Sequence, residues 1–327
     1  MNLLHLPPRS TRWRLPRSTR GPLLAGGPEP GDGSDHPDAP GGSDDGRVIP
    51  IRRESDPRVI AITSGKGGVG KSVLSANIGI CLAKLGRRVL LVDADLALAN
   101  LDLMLGVQAR FTIKSILSSE RRIEEVLTVG PHSVQLLPAC SGESSLVEMP
   151  ETSRLALFDA IDSLQDRFDT IVVDTGAGIG SNSTAFAAAA QQTVVVVTPD
   201  PASMADAYAM IKVLCVRSGI RRIYLVVNMA SGPLEADQVL SRLLGLVHQF
   251  LDVSVIPVGY VYRDSAVERS VRECRPLVTS YPQAPVTASL QALAGRLLQE
   301  KPSDSSWGGP RLFWRKLMGL SDMEGEE

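Results

Sequence analysis

Eight consecutive residues, Gly65-Lys66-Gly67-Gly68-Val69-Gly70-Lys71-Ser72, fit the spacing G-x-x-x-x-G-K-S, which suits phosphate chemistry. Glycines let successive backbone N–H groups turn inward on one anion. A helix starting near Lys71 would aim its positive end at the same place. Lys71 would reach β- and γ-phosphates, and the Ser72 hydroxyl would ligate a magnesium ion. Lys66, just after the first glycine, has two readings. It is a solvated lysine, or a cation aimed away from its own loop at phosphates held by a facing subunit. Two apolar runs end in carboxylates: Leu91-Val92-Asp93-Ala94-Asp95 and Ile171-Val172-Val173-Asp174. At the carboxyl end of strands beside such a loop, carboxylates sit where magnesium and attacking water are organised.

Strands and helices in alternation must place these groups. Val59-Ile60-Ala61-Ile62-Thr63 is β-branched and apolar on both faces, the mark of a strand buried in a parallel sheet. Similar runs recur at 88–93, 134–138, 170–174, 193–198, 222–228 and 253–258. Segments 155–164, 203–216, 234–250 and 287–298 carry apolar residues at helical spacing. The pattern predicts an α/β fold: a three-layer P-loop NTPase with a mostly parallel central sheet of about seven or eight strands and helices on both faces.

Composition bounds the rest. The chain has 327 residues, 34 Lys+Arg against 36 Asp+Glu and 4% aromatics. It therefore lacks the global basic excess of a nucleic-acid binder and favours an aliphatic core. No apolar run reaches membrane-spanning length. Cys81, Cys140, Cys215 and Cys274 form no CxxC pair, so they read as buried or idle thiols in a reducing compartment. His132 and His248 read as fillers. Residues 1–57 are Arg-rich and then Gly/Pro/Asp/Ser-rich, with PRSTR occurring twice; they read as a disordered extension or a misassigned start. The domain is expected over 58–300, with a linker over 301–310. Residues 311–327 are expected to form an amphipathic helix and an acidic tail, with Phe313, Trp314, Leu317, Met318 and Leu320 on one side.

GKGGVGKS resembles the deviant Walker A motif of the MinD/ParA family, in which ATP is sandwiched between two monomers. LPACSG at 137–142, DTGAGIGSN at 174–182 and TPDPASMADAYAMIK at 198–212 are similar to the branch that controls flagellar number and placement (FlhG/FleN), with MinD a near neighbour. The resemblance spans about Arg58 to Gln299. It implies ATP and Mg2+ as cofactors, with Asp95 positioning or activating water and Lys66 and Lys71 stabilising phosphate charge. Asp174 implies a Walker B carboxylate and Thr175 to Gly178 a switch II. Asp93 belongs to the metal's outer shell or is purely structural, and Asn228 reads the adenine edge or caps its strand. The implied partners are a second copy in the presence of ATP, the lipid surface of the inner membrane from the cytoplasmic side, and a flagellar GTPase (FlhF) or other polar protein. Specific DNA is not expected. No DQAxxLR-like activator motif occurs in residues 1–57. A MinD-type division-site role, ParA-type DNA or cargo positioning, and a nucleotide-gated adaptor with incidental hydrolysis are the alternatives.

Overall fold

The computed structural model describes residues 57–95, 99–139 and 151–300, together with 313 and 317. The readings of 1–56 and 301–310 lie outside them. So do Trp314, Met318, Leu320 and the acidic tail.

The strands are β1 (Arg58–Ser64), β2 (Val89–Ala94), β3 (Thr128–Val129), β4 (Gln135–Leu137), β5 (Thr170–Ala177), β6 (Gln192–Val197), β7 (Arg222–Ala230) and β8 (Ser254–Tyr262). The helices are α1 (Lys71–Lys84), α2 (Leu101–Leu105), α3 (Ile113–Leu117), α4 (Ile123–Val126), α5 (Glu151–Asp162), α6 (Ser181–Ala189), α7 (Pro201–Ser218), α8 (Pro233–Phe250), α9 (Ser265–Arg272), α10 (Leu277–Ser280) and α11 (Pro285–Gln299). They build one eight-stranded sheet in the order β3-β4-β2-β5-β1-β6-β7-β8. Every neighbouring pair is parallel except β3 with β4. The α/β expectation is met.

Alternate strand residues feed opposite layers, as the pleat requires. Ile60, Ile62, Leu91, Val172, Val194 and Val226 face a core shared with α1 and α11. Val59, Ala61, Leu90, Val92, Ile171 and Val173 face a second core with Phe186 of α6 and Leu157 of α5. Val195, Val197, Leu225 and Val227 face a third with α7 and α8. With both faces covered, the central strands read as unbroken apolar runs. The last carbonyls of α11, left without intrahelical partners, are met from the sheet. Arg58 Nη1 donates to Leu297, Leu298 and Glu300, and Gln192 Nε2 donates to Leu297 and Glu300.

Candidate functional site

Because β1 lies between β5 and β6, with β2 beyond β5, the loop after β1 opens at a point where strand order reverses. Ligands bind outside the carboxyl rim at such points. Residues 65–70 carry the chain from β1 into α1. Gly68 (φ 77°) and Gly70 (φ 88°) lie in the left-handed region that a Cβ strains. Gly65 is needed for another reason: a Cβ there would collide with the carbonyl oxygen of Asp206 in α7. The first glycine of the loop thus doubles as a packing surface for a helix.

Lys71 is buried at the start of α1. Burial lowers its pKa from the ordinary lysine value, opposed by the charges of Asp174 and Asp95. Asp174 is buried beneath it. Ser75 Oγ lies 2.8 Å from Asp174 Oδ1, and Ser72 is hydrogen-bonded to the same carboxylate. Burial pushes Asp174 up to about 6, against those two hydrogen bonds and the Lys71 charge. A buried carboxylate beside a serine hydroxyl is an all-oxygen donor set of the kind magnesium takes, with phosphate and water completing its shell. The described residues therefore fit that ion.

Asp93 stands beside Asp174 in strand register, yet its oxygens point to the backbone. Oδ1 accepts from the Asp95 N–H at 3.2 Å, and Oδ2 accepts from Asn100 and Leu101 N–H, each at 3.1 Å. Burial, and then the Asp174 charge, push Asp93 up to about 7 against these three hydrogen bonds. The side chain clamps the loop that carries Asp95.

Thr175 to Gly178 runs beside the end of β1, from which the phosphate loop departs. Gly178 N–H donates to Ser64 O at 3.0 Å, Thr175 Oγ1 donates to Ile62 O at 3.1 Å, and Gly178 has φ 86°. Lys66 turns outward. Its ammonium is 2.7 Å from Asp200 Oδ2, with both side chains about half exposed. Asp200 also caps α7, its Oδ1 accepting from Ala202 N–H. Asn228, buried near the end of β7, donates through Nδ2 to Val69 O at 2.7 Å. A carbonyl neighbour demands the NH2 side of the amide, which leaves the amide oxygen and the second N–H for a ligand. Beside it lies a cavity of about 530 Å³ lined by Gly70, Asn228, Met229, Arg263 and Asp264, with an apolar floor that includes Val267 and Leu290. Met229 has φ 58°, a backbone strain of the kind that collects at ligand sites.

The residues of the phosphate loop, Asp93, Asp95, Asp174 and Asn228 therefore lie in the loop or at the ends of the strands next to it. Three contributors escaped that reading. Ser75 was hidden in helix α1. Asp200 was legible as an Asp-Pro helix start, Pro201 standing at the first helical position. The cavity wall from Arg263 and Asp264 comes from a loop with no motif. In the coda, Phe313, read as part of the apolar side of an amphipathic helix, is buried, its ring 6.3 Å from that of Phe186 in α6. Leu317 packs on the same core. An aromatic that finds an apolar groove on its own domain has no reason to stay in water. Of the cysteines, Cys81 and Cys215 are buried and Cys274 is exposed; Cys140 lies outside the described residues.

Residues 57–218 match a family described as an AAA domain. The chain is 38% identical over 240 residues to the antiactivator FleN of Pseudomonas aeruginosa, covering 73% of this chain and 86% of that protein. It is 36% identical over 244 residues to the flagellum site-determining protein YlxH of Helicobacter pylori, covering 74% and 82%. Its fold matches the MinD cell division protein of Aquifex aeolicus with a TM-score of 0.61 at 27% identity, over 75% of this chain and 98% of that one. With a deviant phosphate loop, a carboxylate rim and relatives of this kind, the chain belongs to the MinD/ParA family of P-loop ATPases, in its flagellar-regulator branch.

Proposed function

We propose that this ATPase is a nucleotide-timed switch that sets flagellar number or placement by dimerising around ATP at the inner face of the cell membrane. The observation that carries the reading is the opposed aim of two lysines from one loop: Lys71 inward, over Asp174, and Lys66 outward, on Asp200. One serves the bound phosphates; the other is free to serve phosphates on a facing copy once it leaves Asp200.

In this reading the backbone N–H groups of Gly65 to Ser72 hold the phosphates, and Ser72 and Asp174 hold magnesium. Asn228 accepts a hydrogen bond from the adenine amine through its oxygen. Magnesium would supply charge neutralisation across the phosphates. Asp95, held by the Asp93 clamp, orients the attacking water. As the water oxygen bonds to the γ-phosphorus, the bond to the bridging oxygen breaks, giving ADP and phosphate. Lys66 of the facing copy and Lys71 stabilise charge in that transition. Hydrolysis then removes the contact that favoured the dimer.

Among the described residues no helix is long and apolar enough to cross a membrane. Membrane attachment falls to the coda around Phe313 and Leu317, released from α6 and presented in pairs by the dimer, since two weak anchors on one body bind far better than one.

Light scattering of the purified chain with ADP and with ATP, wild type beside Asp95→Ala, tests this. A dimer only with ATP, persisting in Asp95→Ala, supports the switch. A monomer in every state overturns it.

A further inference from the structure

Helix α6 is built almost wholly of small residues, and its buried positions are Ser183, Phe186, Ala187 and Ala189. Ser183 is the polar one among them. A buried hydroxyl costs free energy unless it is hydrogen-bonded. Alanine, which this helix uses at 185, 187, 188 and 189, would fill the place without that cost and with better helix propensity. A hydroxyl in place of alanine here invites a use.

Its surroundings supply one. Gly176, in switch II, has no side chain. The point where its Cβ would stand is 3.1 Å from Ser183 Oγ and 3.6 Å from Asp95 Oδ1. Hydroxyl and carboxylate thus both border the space that a glycine leaves open. A water seated in that space, or a rotation that shortens the gap, would join the two by hydrogen bonds. Any larger residue at 176 would put a carbon into that space.

We propose that Ser183 is a positioning residue for ATP hydrolysis. Its hydroxyl donates to the Asp95 carboxylate across Gly176, directly or through one water, and fixes the direction in which that carboxylate presents the attacking water. The inference rests on the role given to Asp95 above. It also explains why position 176 carries no side chain although its backbone does not need the left-handed region, unlike Gly178.

The test is steady-state and single-turnover ATP hydrolysis by the full-length chain, comparing wild type, Ser183→Ala, Asp95→Ala and the double variant. Light scattering and thermal melting of each protein confirm that it is folded and dimerises. Expected for Ser183→Ala is a kcat lower by about tenfold, the worth of one hydrogen bond to a charged group. The KM for ATP and the ATP-dependent mass should stay unchanged, and no further loss should appear in the Asp95→Ala background. A wild-type kcat in folded Ser183→Ala overturns the inference, as does an equal fractional loss with and without Asp95. If Ser183→Ala is normal while Asp95→Ala is inactive, only the inference fails. If Asp95→Ala hydrolyses ATP at the wild-type rate, the assignment of Asp95 fails and takes the inference with it.

Discussion

The ammonium of Lys66 and the carboxylate of Asp200 stand 2.7 Å apart, so the outward lysine of the phosphate loop is tied to the first turn of α7. The hydrogen bond that Lys66 donates to Asp200 raises the lysine's pKa and lowers that of the aspartate. Both groups keep their charge throughout the physiological range, and the tie is screened by water and salt.

Asp200→Asn removes the charge of this tie yet keeps a residue able to cap α7. The variant should form the ATP dimer at a protein concentration lower by a few-fold at most, because an exposed ion pair holds weakly. Light scattering across a dilution series reads the shift. A dimer that needs more protein than wild type would show that Asp200 supports the dimer instead of restraining Lys66.

Asn228→Ala removes both the hydrogen bond to Val69 O and an amide that lines the cavity. ATP affinity, measured by calorimetry, should fall by about tenfold, and the preference for ATP over GTP should shrink with it, since a lost polar contact no longer rejects the wrong base. An unchanged ATP-to-GTP ratio would remove Asn228 from base recognition.

Phe313→Ala empties a buried site next to Phe186. A phenylalanine-to-alanine change in a core costs about 3 kcal/mol or more; docking at the end of the chain sets the lower edge of that range as the expectation. Denaturant melts at equal m-value measure it. The same variant should weaken ATP-dependent sedimentation with anionic liposomes if the released segment is the anchor, and leave it untouched if the anchor lies elsewhere.

Asp169 accepts hydrogen bonds from the Arg88 backbone at 2.9 Å and from its guanidinium at 2.6 Å, joining the starts of β2 and β5. The Arg88 hydrogen bond holds the Asp169 pKa below the usual carboxylate value. A depressed folded-state pKa stabilises the fold above the unfolded-state value near 3.8, and that stability is lost as pH falls through the lower, folded value. Melting temperatures of wild type and Asp169→Asn should therefore differ at neutral pH and converge in strong acid. A gap independent of pH would assign the effect to shape, not charge.

Cys81 lies inside α1 and burial pushes its thiol up to about 11, while Cys274 is exposed. Iodoacetamide at neutral or mildly alkaline pH should label the peptide containing Cys274 and spare Cys81 until the chain unfolds, because the thiolate is the reactive form. Mass mapping of digests gives the answer, and rapid labelling of Cys81 would contradict the packing of α1.

The sheet was legible because its central strands are buried on both faces and so read as short β-branched runs, from Val59-Ile60-Ala61-Ile62 to Thr193–Val197. The two-residue strand β3 and the short helices α2, α3, α4 and α10 were not: each is too brief to show a period. Helix α6 escaped for a different reason, since its alanine-rich sequence has almost no amphipathic contrast. At the site, the loop and the carboxylates were readable from motif and position. The partners that tune them were not: Ser75 lies one turn past the motif with nothing in its spacing to mark it, and Asp200 and Ser183 come from distant segments and meet the motif only through the fold. The use of Asp93 as a clamp on backbone amides was equally beyond spacing, because a DxD pattern does not say which way a carboxylate turns.

Gly65 closes against the Asp206 carbonyl of α7, and this changes how genetics at the locus would read. A substitution there, scored in a motility screen as the loss of a nucleotide-binding residue, would instead force apart two neighbouring elements and lower the amount of intact protein in the cell. Alleles at Gly65 and at Lys71, adjacent in any motif diagram, would then fall into separate classes: the first rescued by lower temperature or by second-site changes in α7, the second by neither.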